Sequence, residues 1–102
     1  MKTFEDLESL VITWADERGI YATSTPEKQY LKAASEMGEL ADALAKGKIS
    51  DIEDAIGDTV VCLINLSNML GTSVPECLDR AYGEIKNRKG KMVNGVFVKE
   101  LK

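Results

Sequence analysis

Four carboxylates occur as two pairs at helical spacing. Glu36 and Glu39 lie three residues apart in Ser35-Glu36-Met37-Gly38-Glu39, and Asp54 and Asp58 lie four apart in Asp54-Ala55-Ile56-Gly57-Asp58. At about 100° per residue, each pair shares one face of a helix. The second pair sits in a stretch that is otherwise largely apolar, where an ionised carboxylate is costly unless something compensates it. Facing pairs of like charge repel, and a divalent cation is the natural compensator. The chemistry on offer is therefore metal-dependent. Lys32 and Gln29 fall on the same stripe as Glu36 and Glu39. Exposed glutamate pairs at this spacing also occur as simple solvated faces, and a buried aspartate can instead be paired with a basic or backbone group.

The composition narrows that chemistry. The chain has 102 residues and no histidine, which removes imidazole bases, Ser-His and Cys-His nucleophile pairs and the usual zinc and copper ligands. Oxygen ligands select Mg²⁺, Mn²⁺ or Ca²⁺. Cys62 and Cys77 have no metal or redox spacing and are expected as buried, reduced thiols at helix-core positions. A net charge of −4 argues against a nucleic-acid partner. The longest apolar run, Thr59 to Leu66, is too short to span a membrane, and no signal-peptide pattern opens the chain, so a cytoplasmic protein is expected. The length and the 44% hydrophobic content suit one domain over residues 1–102.

Four helices must position these groups. Thr3 with Asp6 resembles a capping box and opens a helix ending near Gly19, with the apolar stripe Phe4, Leu7, Leu10, Val11 and Trp14. A loop through Tyr21 and Thr23 follows. Thr25-Pro26 starts the second helix, which runs to about Ala45 and stops at Lys46-Gly47. Its apolar side is Tyr30, Ala34, Met37, Ala41 and Leu44. Ser50 with Glu53 forms another capping box for a third helix ending at Leu70-Gly71. That helix has almost no polar side and is expected to be central, yet Asp51, Asp54, Asp58 and Asn65 align on it; Asp51, in its first turn, suits the helix dipole.

Ser73 with Glu76 opens the fourth helix, ending near Lys89-Gly90. In the tail, residues 91–102, Asn94-Gly95 signals a two-residue hairpin, which should pack on the bundle or on a neighbouring subunit. The short connection from Lys46 to Ile49 makes the second and third helices antiparallel neighbours and turns their acidic stripes toward each other. The basic group Lys86, Arg88 and Lys89, with Asn87 among them, suits a helix C-terminus or a polyphosphate. The fold class is all-α, an antiparallel four-helix bundle-like arrangement with a short C-terminal hairpin.

These residues resemble the MazG-like all-α nucleoside triphosphate pyrophosphohydrolase superfamily. The family pattern is two glutamates, two spacers and a third glutamate, then E-x-x-D on the next helix. Glu36 and Glu39 match the second and third glutamates and Asp58 the closing aspartate, while Ser35 and Ala55 stand where the other two glutamates would be. Asp54, one residue before Ala55, is the candidate replacement. Trp14-Ala15 with Glu17-Arg18-Gly19-Ile20, the Thr25-Pro26-Glu27-Lys28-Gln29 helix start, and Ala81-Tyr82 through Met92-Val93-Asn94-Gly95-Val96-Phe97 look like a short MazG-like subgroup of bacteria and phages.

The resemblance implies a MazG-type fold and hydrolysis of a (deoxy)nucleoside triphosphate to monophosphate and pyrophosphate. It implies Mg²⁺ (or Mn²⁺) held by Glu36, Glu39, Asp58 and Asp54, with Glu39 or Glu36 as base for a water attacking the α-phosphorus. Lys32, Lys86, Asn87 and Lys89 are candidates for phosphate or sugar. Trp14 is either a base-stacking residue or part of the core. A phosphoribosyl-ATP pyrophosphohydrolase and a degenerate binding module share the architecture. The resemblance also implies a homodimer or homotetramer, with no membrane association.

Overall fold

A computed structural model describes residues 1–101. The chain is mostly helical, with five helices and a two-stranded antiparallel hairpin among the described residues: α1 (Phe4–Glu17), α2 (Ile20–Thr23), α3 (Pro26–Lys46), α4 (Ile49–Met69), α5 (Val74–Ile85), β1 (Gly90–Val93) and β2 (Val96–Lys99).

Local chemistry sets most of the boundaries. Thr3 Oγ1 accepts the Asp6 N–H at 3.1 Å and Thr25 Oγ1 accepts the Lys28 N–H at 3.1 Å, each satisfying an orphan donor of a first turn. Ser73 Oγ does the same for the Glu76 N–H at 3.2 Å. Gly47, at φ 69°, closes α3 in the left-handed conformation that glycine adopts without penalty. Only residues 47 and 48 separate α3 from α4, so the two helices run antiparallel and form the most extensive packing pair in the chain. Asn94 and Gly95, both at positive φ, make the hairpin turn.

Several expectations need correcting. The segment through Tyr21 and Thr23 is a one-turn helix, pinned to α4 by the Tyr21 hydroxyl, which donates to Asn65 Oδ1 at 2.7 Å. The Ser50–Glu53 capping box is not used. The chain reverses so tightly at Gly47 that α4 begins at Ile49, with Lys48 as an N-cap lacking a side-chain bond. The last helix ends at Ile85, leaving Lys86 to Lys89 in the connection to β1. Cys62 is buried as expected, but Cys77 is exposed.

The largest correction concerns which faces are covered. On α3 the buried residues are Ala33, Glu36 and Ala43, whereas the apolar side expected to pack inward is outside, with Tyr30, Met37 and Leu44 all more than half exposed. On α4, Ala55, Cys62, Ile64, Asn65 and Ser67 are buried, but Ile56 and Leu63 are largely exposed. No residue of α5 or of either strand is buried. The hairpin therefore does not pack on the helices of its own chain. The accessible surface, 7932 Å², exceeds the about 5,700 Å² typical of a folded monomer of this mass. The radius of gyration, 16.2 Å, likewise exceeds the about 13 Å of a compact chain of this length.

Candidate functional site

The antiparallel packing of α3 on α4 brings the two acidic stripes together. They line a groove of about 280 Å³ whose walls are Glu36, Glu39, Asp42, Ala43 and Lys46 from α3 and Asp51, Asp54, Ala55 and Asp58 from α4. Six carboxylates thus face one ammonium. Ala43 and Ala55, each only 5% exposed, let the helix backbones approach closely at its floor. A small side chain at those two points is what allows charged neighbours on either side to converge.

Glu36 is the innermost acid, 5% exposed, and its Oε1 pairs with Lys32 Nζ at 3.2 Å. Among the described residues this is the one ion pair. A hydrogen bond with Glu39, then the one from Lys32, hold the Glu36 carboxyl below its ordinary value despite burial. The same bond acts in reverse on Glu39, whose proton affinity is raised first by that bond and then by the Glu36 charge. The two therefore titrate as a pair, with the proton favoured on Glu39. Asp58 is pushed up mainly by burial, and further by the charges of Asp54 and Glu36. Lys32 is raised by its bond to Glu36.

The donor set fits a hard cation by its chemistry, since every polar side chain lining the groove other than Lys46 is a carboxylate. Among the described residues, however, no three of these acids close to the spacing of ligands around one ion.

Of the expected site residues, Glu36, Glu39, Asp54 and Asp58 are brought together. Lys32 joins them through Glu36. Trp14 is 43% exposed and lines a neighbouring apolar hollow of about 310 Å³ with Leu7, Leu10, Val11 and Val61, sharing Asp58 with the groove. The Arg18 guanidinium lies 4.9 Å from its ring centroid. Lys86, Asn87 and Lys89 are exposed and do not line the groove. Asp42, Lys46 and Asp51 are groove residues that the sequence reading did not assign to the site. Asp42 continues the three-residue step from Glu36 through Glu39, and that periodicity was the available signal. Two turns beyond Asp58 along the same face of α4, Asn65 is 2% exposed and its amide oxygen is satisfied by Tyr21, a structural bond between α2 and α4.

No family model and no solved structure matches the chain. A protein of Haemophilus phage HP1, described as an uncharacterized 18.2 kDa protein from the rep-hol intergenic region, is 40% identical over 65 residues. That alignment covers 61% of this chain and 40% of the phage protein, so the match spans about two-fifths of the relative's length.

Proposed function

We propose that this chain is a Mg²⁺-dependent nucleoside triphosphate pyrophosphohydrolase of the MazG-like all-α superfamily. The observation that carries the reading is the α3–α4 groove, where buried Glu36 faces Asp54 and Asp58 beside Glu39. Glu36, Glu39, Asp58 and Asp54 hold the metal, with Mn²⁺ as the alternative. When bound, the metal supplies positive charge against the triphosphate and polarises the reacting phosphoryl group. Lys32 keeps Glu36 ionised. Glu39 takes the proton from the water that attacks the α-phosphorus, with Glu36 as the other candidate. Nucleoside monophosphate and pyrophosphate leave. The apolar hollow beside Asp58 receives the base against Trp14, once Arg18 moves from the ring face or stacks outside it.

The same reading accounts for the uncovered apolar faces. On α3, Tyr30, Ala34, Met37, Ala41 and Leu44 alternate by four and three residues; on α4, Ile49, Ile56, Leu63 and Leu70 repeat every seven. All are exposed. Such heptad seams pair with other helices. Two α3–α4 hairpins packed along them form a four-helix bundle, making the protein a homodimer or, by repetition, a homotetramer. The excess surface of about 2,200 Å² per chain is of the size an obligate interface removes.

A second reading is a nucleotide-binding or interaction module without turnover. It is favoured by the separation of the carboxylates and by buried Ala55 at the E-x-x-D position. Incubation with a panel of nucleotides and Mg²⁺, reading pyrophosphate release, separates the two. The enzyme reading expects release that Glu39→Gln abolishes with helical content retained. Tight nucleotide binding with no turnover on any substrate would establish the module instead.

A further inference from the structure

The segment from Lys86 to Lys99 carries five lysines and arginines and no acid. It is exposed along its whole length, and none of its cations pairs with a carboxylate among the described residues. Its hairpin has apolar residues on both faces. Cross-strand pairing puts Met92 opposite Phe97 on one face and Val93 opposite Val96 on the other, and neither face is covered. The Phe97 ring lies against Gly90, where an added Cβ would strike both that ring and the Val98 carbonyl. The hairpin is therefore a tightly closed local unit. An isolated two-stranded hairpin is marginal in water, so one built this way and left uncovered calls for a partner surface.

The groove is the electrostatic complement of this arm. Its wall of six carboxylates and one lysine has the opposite sign and a matching formal charge. Its outer end, at Asp42, Lys46 and Asp51, lies nearest the α3–α4 turn, whereas Glu36, Glu39, Asp54 and Asp58 lie farther in. In its own chain the arm does not line the groove.

We propose that the basic arm of a second copy of this chain docks across the outer end of the groove. Lys86, Arg88 and Lys89 of one copy face Asp42 and Asp51 of the other, and the hairpin's apolar tip is closed off between copies. Complementary patches of this kind steer association and fix register. The inner carboxylates stay open to metal and substrate.

The test reads docking alone, without nucleotide or turnover. Full-length protein is prepared in ordinary and ¹⁵N-labelled forms, mixed, denatured and refolded together so that copies exchange, and treated with a zero-length carbodiimide that joins lysine amines to carboxylates. Cross-linked peptides are then mapped by mass. The expected result is mixed-isotope links from Lys86 or Lys89 to Asp42 or Asp51. Arg88→Glu, which removes no reactive amine, should cut their yield about fivefold or more. Arg88 is exposed, and an unchanged circular dichroism spectrum shows the variant folded. Links only within one isotope form, no links between arm and groove, or a yield that Arg88→Glu leaves unchanged would each overturn the proposal. So would Arg88→Glu abolishing retention of a duplex DNA while the inter-copy links persist, because the arm would then serve a nucleic acid.

Discussion

Ala55→Glu places a carboxylate at the E-x-x-D position of the MazG-like pattern that the chain resembles, and its cost follows from the packing of α3 on α4. Ala55 is 5% exposed and shares the groove floor with Ala43, also 5% exposed. Overfilling such a contact costs about 1–3 kcal/mol. A further carboxylate beside Asp54 and Asp58 adds repulsion, so a total of about 2–4 kcal/mol is expected without divalent metal. In a domain of this size each kcal/mol moves the thermal midpoint by about 4–8 °C, giving a fall of about 8–32 °C. Circular dichroism melts in chelator-treated buffer measure it directly. Millimolar Mg²⁺ should recover part of the loss, because binding to the folded state alone is stabilising. A variant that melts within about 2 °C of the parent in metal-free buffer would refute the reasoning. The α3–α4 contact would then have room for a glutamate at position 55, and packing would not explain the alanine there.

Three further outcomes follow from the same geometry. Asp58→Asn removes a carboxylate disfavoured by burial, so it should raise the metal-free midpoint while shrinking the Mg²⁺-induced shift; a lower metal-free midpoint would contradict this. The pH dependence has a definite sign. Glu39 and Asp58 are raised, so their contribution is full below their ordinary values and is lost as pH rises through the raised ones, whereas Glu36 is lowered and its contribution is lost as pH falls through its depressed value. Metal-free melts should therefore peak in mildly acidic buffer, with Mg²⁺ moving the optimum toward neutrality, and a flat profile would contradict the opposed shifts of Glu36 and Glu39. Tyr21→Phe strips the donor from nearly inaccessible Asn65 and should cost about 1–2 kcal/mol, seen as a melt lowered by about 5–15 °C; no change would mean that α2 is not anchored by this bond.

The caps at Thr3, Thr25 and Ser73, the stop at Gly47 and the Asn94-Gly95 turn were all readable from sequence, because each depends on residues a few positions away. So was the meeting of the two acidic stripes, which needs only helical spacing and a short connection. The direction in which α3 faces was not. Periodicity tells which residues share a side of a helix but not what that side meets, and here the Glu36 side meets α4 while Tyr30, Met37 and Leu44 lie outside. Ser50 misled for a related reason: its capping pattern is genuine locally, but the reversal at Gly47 starts the helix two residues earlier. The single turn of α2 depends on the bond from Tyr21 to Asn65, forty-four residues away, which no local pattern encodes.

The proposed function requires the α3–α4 groove to cleave a nucleoside triphosphate between its α- and β-phosphates. Turnover in ¹⁸O-enriched water with Mg²⁺, with products resolved by mass, tests it most directly. Attack at the α-phosphorus gives equal amounts of nucleoside monophosphate and pyrophosphate, with the label in the monophosphate. Label in the pyrophosphate, release of orthophosphate and nucleoside diphosphate, or no turnover on any nucleotide would contradict it.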